Sequence, residues 1–161
     1  MDEVRCSIAT TNENYEDLIR LFKAYFEELG LDLDFQNPHK DMEEAQIMYG
    51  QPDGLAVLAF IADEPVGCVA LRLWDNKEIK IGEVKRMYIL PLARRRGISY
   101  KLMDILIDAA YEMKYEILKL DTLQSMHGAI KVYKEYGFYE TDPYYYNPLA
   151  DVVYFEKVMN P

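Results

Sequence analysis

Cysteine and histidine are nearly missing from this sequence: two of each among 161 residues. Cys6 and Cys68 fall in apolar, strand-like runs, outside any metal or redox spacing, and read as buried thiols. His39 and His127 stand alone, far from any cluster of Cys or carboxylate ligands, so no metal site is expected. The sequence also lacks Gly-x-Gly-x-x-Gly and the Walker lysine pattern, which removes the usual signs of a dinucleotide or nucleoside triphosphate site. It has no apolar run long enough to span a membrane. The opening Met1-Asp2-Glu3-Val4-Arg5 has neither the basic nor the apolar region of a signal peptide, so a cytoplasmic location is expected. Cations are outnumbered, 18 Lys and Arg against 28 Asp and Glu, giving a formal net charge of −10. That balance argues against nucleic-acid binding, which needs a basic surface to displace counterions. It suits a cationic substrate, and it suits solubility equally well.

What is present is apolar and aromatic: half the residues are hydrophobic and 14 are tyrosine. The length suits one domain, residues 1–161, with a core that needs no disulfide. A strand at 5–10 precedes a helix capped by Asn12 or Asn14, with its apolar stripe on Leu18, Leu21, Phe22, Tyr25, Phe26 and Leu29 and its stop at Gly30. A linker at 31–38 leads to a shorter helix at 40–49. Apolar runs at 55–62 and 66–73 flank Asp63-Glu64-Pro65 as a hairpin, and a turn at Trp74-Asp75-Asn76-Lys77 opens a third strand, 78–90. In that strand the apolar positions change parity between Ile81 and Met87, which predicts a bulge near Val84 to Met87. A helix with Ile98, Leu102, Ile105, Leu106, Ala109 and Met113 inward connects it to a strand at 117–122, a βαβ unit and hence a parallel pair. A helix from Ser125 to Tyr136 and strands at 138–140 and 152–158 complete the chain, around a Tyr- and Pro-rich loop at 142–148. The class is α/β (α+β): a mostly antiparallel mixed sheet with one parallel pair and about four helices.

One stretch runs against the acidic composition. Arg94, Arg95, Arg96, Gly97, Ile98 and Ser99 lie between the bulged strand and the helix, with no acid up to Lys101. Positive side chains at a helix N-terminus oppose the helix dipole unless an anion sits among them. Loose backbone N–H groups there, with Gly97 allowing close approach, make a phosphate or diphosphate site. A solvated basic helix start is the plainer reading.

The segment 83–138 resembles the GNAT superfamily of acetyl-CoA-dependent N-acyltransferases. The family's [Gln/Arg]-x-x-Gly-x-[Gly/Ala] signature falls on Arg94-Arg95-Arg96-Gly97-Ile98-Ser99, after Met87-Tyr88-Ile89-Leu90-Pro91. A second family block falls on Ala129-Ile130-Lys131-Val132-Tyr133-Lys134-Glu135-Tyr136-Gly137-Phe138. Ser99 replaces the usual small Gly or Ala, and Met126 stands where many members carry Asn, so that polar contact is not carried over.

The resemblance implies a parallel pair splayed at the bulge, with the pantetheine arm of acetyl-CoA against the backbone of Met87, Tyr88 and Ile89 and its pyrophosphate on Arg94 through Ser99. It places a general acid for the leaving thiolate at Tyr133, whose plainer role is packing beside Ile130; both hold at once. It offers Glu83 as general base, beside the reading of a solvated strand charge, and Asp121 as a supporting carboxylate. Lining candidates on the amine side are Tyr25, Phe26, Arg72, Trp74, Tyr144, Tyr145 and Asn147, with Arg72 able to pair with a substrate carboxylate. The implied activity is acetyl transfer to a primary amine, of a small molecule or a protein, by direct attack in a ternary complex. A silent acyl-CoA-binding sensor or assembly module is the alternative. A homodimer is compatible with the resemblance; neither nucleic acid nor membrane is an expected partner.

Overall fold

The protein is described by a computed structural model covering residues 3–30 and 38–160, without the side chains of 38–40. The expected linker before residue 38 and the side chain of His39 therefore lie outside the described residues. The elements are β1 (Val4–Ile8), α1 (Asn12–Leu29), α2 (Pro38–Met48), β2 (Leu55–Ile61), β3 (Glu64–Asp75) and β4 (Ile81–Ile89), then one 3-10 turn (Pro91–Ala93). They continue with α3 (Ile98–Glu112), β5 (Ile117–Leu123), α4 (His127–Glu135), β6 (Tyr139–Thr141) and β7 (Val152–Val158).

Local chemistry sets most boundaries. The cap of α1 is Thr11 rather than Asn12 or Asn14: its hydroxyl accepts from the Asn14 N–H, and the Asn14 side chain accepts from the Thr11 N–H. Gly30, at φ 68°, ends the helix. The β2–β3 turn is Ala62-Asp63, with φ of 49° and 67°, one residue earlier than expected. Pro65 instead sits in β3 at a register irregularity, where its missing N–H is tolerated. Trp74 and Asp75 also belong to β3 rather than to the following turn. The cap of α4 is Met126, not Ser125, without a side-chain hydrogen bond.

The seven strands are ordered β1-β2-β3-β4-β5-β7-β6, antiparallel except for β4–β5. Period-2 alternation divides the core between the two faces of the sheet. Val57, Val69, Leu71, Val84, Leu118 and Leu120 pack with Leu102, Met103 and Leu106 of α3. Ala56, Leu58, Cys68 and Ala70 pack with Leu18 and Phe22 of α1 and Ala45 of α2. Cys68 is fully buried, and burial pushes its thiol up to about 12; Cys6 is only half-buried. Both are free.

The feature that positions the site is the middle of β4. Cys68 opposes Tyr88, yet Ala70 opposes Lys85, so β4 carries one residue more than β3 over this step. Arg86, at φ 58°, absorbs it. On its other side β4 pairs with β5 only from Ile81↔Ile117 to Glu83↔Lys119. Beyond that row the two strands no longer pair with each other, each keeping its outer neighbour, and a wedge opens between them.

Candidate active site

Backbone lines one wall of the wedge. Leu90 N–H donates to Val66 O at 2.8 Å, two residues along from the row that pairs Tyr88 with Cys68. Tyr88 and Leu90 therefore turn their main chain toward β3, and Met87 and Ile89 turn theirs toward the wedge. The Ile89 carbonyl accepts from Arg94 Nε at 3.0 Å. Tyr88 contributes its side chain elsewhere: the ring stacks on Tyr25 at 5.2 Å, and its hydroxyl donates to Glu28 at 3.0 Å.

The basic loop closes one end. Arg94 is tied down, its Nη2 donating to both Glu28 oxygens at 2.7 and 2.8 Å. This pairing holds the Glu28 carboxyl below its usual value. Arg95 is exposed at φ 68° and Gly97 caps α3 at φ 72°. A Cβ on Gly97 would meet nothing within 4 Å, so the backbone there is open to a large ligand. Lys101 N–H is the first to reach back to the Gly97 carbonyl, which leaves the N–H groups of Ile98, Ser99 and Tyr100 without intrahelical partners. Ile98 is buried and anchors the helix start; Ser99 is half-buried. Unpaired amides, a positive-φ glycine and the exposed cation of Arg95 suit a diphosphate.

Along the face of the sheet that bears α1, the polar side chains converge. Glu83, 1% exposed, accepts a hydrogen bond from the Tyr144 hydroxyl on Oε2 at 2.6 Å. Its Oε1 has no hydrogen bond, with Arg72 Nε and Lys85 Nζ each 3.8 Å away. Arg72 lies over the Trp74 ring at 5.4 Å, and Trp74, Tyr144, Tyr145 and Tyr154 form one aromatic cluster. Burial and then the charge of Glu83 push the Tyr144 phenol far above its usual value. On β5, Asp121 Oδ2 accepts from the Tyr145 hydroxyl and from Asn147 Nδ2, the latter at 2.7 Å.

Tyr133 is 5% exposed and packs edge-on to Phe138 at 5.8 Å. Its phenol is raised strongly by burial, then by Tyr25 and Asp121 nearby. Tyr25 is pushed up to about 12, first by burial and then by Asp121. Met126 Sδ accepts from the Tyr25 hydroxyl at 3.7 Å and from Thr122 Oγ1 at 3.4 Å. Between α1, β4, β5 and the loop before β7 lies a cavity of about 190 Å³, with Tyr25, Phe26, Lys85, Arg86, Asp121 and Asn147 among its walls.

The sequence model of the Acetyltransferase (GNAT) family matches residues 15–138. The chain belongs to this family. An uncharacterized N-acetyltransferase of Schizosaccharomyces pombe is 32% identical over 92% of this chain and 90% of its own length. One from Dictyostelium discoideum is 28% identical over 94% of this chain and 97% of its own. In three dimensions a GNAT acetyltransferase of Staphylococcus aureus superposes with a TM-score of 0.76, at 22% identity, over 97% of this chain and all of that one. An acetyltransferase of Salmonella typhimurium, solved with acetyl-CoA, gives 0.73 at 13% identity over 98% of this chain and 95% of that one. This GNAT chain is accordingly an acyltransferase enzyme, and its acceptor is an amine.

Some site residues come together differently from the expectation. Tyr25, Asp121, Tyr145 and Asn147 share the cavity, as do Lys85 and Arg86, which the sequence did not single out. Arg72 and Trp74 are instead beside Glu83, away from the cavity walls. Glu28 was missed altogether, because its tie to Arg94 spans 66 residues and no spacing rule reaches that far. Among the described residues no Cys, His and carboxylate group could hold a metal, and no helix is long and apolar enough to cross a membrane.

Proposed function

We propose that this enzyme transfers acetyl from acetyl-CoA to a primary amine, the two bound together in a ternary complex. The wedge beside the bulge is the observation that carries this reading. It offers unpaired strand backbone to an extended amide-bearing arm, and it ends at a helix N-terminus suited to the pyrophosphate. Acetyl-CoA would supply the activated thioester.

The chain's own residues do the rest. Met87 N–H faces the wedge where it can donate to the thioester oxygen as negative charge builds there. Arg95, Gly97 and the amides of Ile98 and Ser99 hold the pyrophosphate. Arg94 shapes the loop through Glu28 and Ile89. Tyr133, protonated at neutral pH, gives its proton to the leaving sulfur. A phenol held this high yields that proton readily only to a thiolate that is itself poorly solvated, which the buried setting of Tyr133 provides. Glu83 takes the amine's proton through Tyr144, whose hydroxyl accepts one proton as it passes its own to Oε2. The enclosure of Glu83 makes that hydroxyl its route outward.

Thermal unfolding tests the donor site. Acetyl-CoA at about a hundredfold excess over its Kd should raise the midpoint by roughly 5–10 °C, free CoA nearly as much, and inorganic pyrophosphate at the same concentration far less. Gly97→Asp, which sets a strained carboxylate against the phosphates, should abolish the shift. Equal shifts with acetyl-CoA and pyrophosphate would reduce the loop to a general anion site.

A further inference from the structure

We infer that the acceptor is a small amine that also carries a carboxylate, of the amino-acid class, bound across the cavity with its amine toward Asp121 and its carboxylate toward Arg86 and Lys85. This rests on the acetyl-transfer reading and narrows it.

The cavity has two poles. At one, Asp121 uses Oδ2 for Tyr145 and Asn147, while Oδ1 receives neither bond. Asp121 lies on β5 beyond the last row paired with β4, so it borders the wedge into which Met87 turns its backbone. An ammonium held on Oδ1 stands beside the reacting carbonyl.

At the other pole is the bulge residue. The guanidinium of Arg86 lies over Phe22 and Phe26, at 4.7 and 4.9 Å, and joins no ion pair among the described residues, although Asp41 and Glu44 line a second cavity on its other side. Lys85 adds a second cation, partly offset by Glu83 at 3.8 Å. Arg72, which the sequence offered for a substrate carboxylate, is already committed to Glu83 and Trp74. A cation with no ion pair among the described residues, in a chain of net charge −10, is open to an anion on the side that walls this cavity. The strained φ of 58° places this side chain in the cavity wall, where regular strand geometry would not. A polyamine would set its second ammonium against Arg86 and Lys85, and an amine without charge would leave Arg86 unanswered. About 190 Å³ is small beside typical ligand pockets, in keeping with a small acceptor.

The test pairs each common amino acid that bears a primary amine, in its L form where chiral, with its carboxamide. Two readouts are taken: kcat/KM from thiol release with acetyl-CoA, and the thermal shift each compound adds in the presence of free CoA. Expected is at least one amino acid preferred roughly tenfold or more over its amide in both readouts, since loss of one charged hydrogen-bond partner costs about this much. Arg86→Gln should raise the KM for that amino acid roughly 10- to 100-fold, affect its amide far less, and be partly rescued by Arg86→Lys. Amides used as well as or better than the acids, or no amino acid either acetylated or bound, would overturn the inference. Loss of the acetyl-CoA shift itself would instead strike the donor-site reading.

Discussion

Tyr133→Phe should lower kcat by about 10²- to 10³-fold while leaving the KM for acetyl-CoA within about twofold. The structure makes this substitution unusually clean. The Tyr133 hydroxyl makes no hydrogen bond among the described residues, and its ring packs against Phe138, a contact that phenylalanine keeps. Stability should hardly change, so a loss of turnover would report proton delivery to the leaving sulfur rather than a damaged fold. The loss should be largest for acetyl-CoA and smaller for a donor whose thiol is more acidic, because such a leaving group needs less help from an acid. Full turnover in the variant would leave Tyr133 as packing alone.

Glu83→Gln and Tyr144→Phe should each lower kcat/KM by about a hundredfold and should not add when combined. Glutamine keeps an oxygen for the Tyr144 hydroxyl but cannot take up a proton. Phenylalanine keeps the ring cluster with Trp74 and Tyr154 but breaks the link to Oε2. If the two form one relay, cutting either end removes the same step. Non-additivity separates this from a structural role, since two independent packing losses would multiply in the double variant. Glutamine would also leave Arg72 and Lys85 without their shared carboxylate, so a thermal melt belongs beside the kinetics. Additive losses, or full turnover in either variant, would refute the relay.

The sequence carried most of this fold because its signals are local. The parity change around Val84 marked the bulge, and Gly30 and Gly97 marked a helix stop and a helix start. Errors of one or two residues arose where rival side chains compete for one role. Thr11 took the cap offered by Asn12, and Ala62-Asp63 took the turn offered by Asp63-Glu64-Pro65. The candidate site was legible in its donor half, where a contiguous motif sits on one loop. Its acceptor half was not. Lys85 and Arg86 face Asp121 across a strand break, and Tyr144 reaches Glu83 over 61 residues; such contacts exist only once the sheet has formed. Arg86 was hidden further by the bulge that aims it, since regular alternation misplaces every residue next to such a kink.

The most direct measurement follows free CoA thiol and N-acetylated amine in the same reaction of purified protein, acetyl-CoA and the paired acceptors. Equimolar appearance of the two, dependent on the amine and abolished in Gly97→Asp, is the expected result. Thermal stabilisation by acetyl-CoA without acetylation of any amine would contradict it, and would make the protein a binding module on an enzyme's fold.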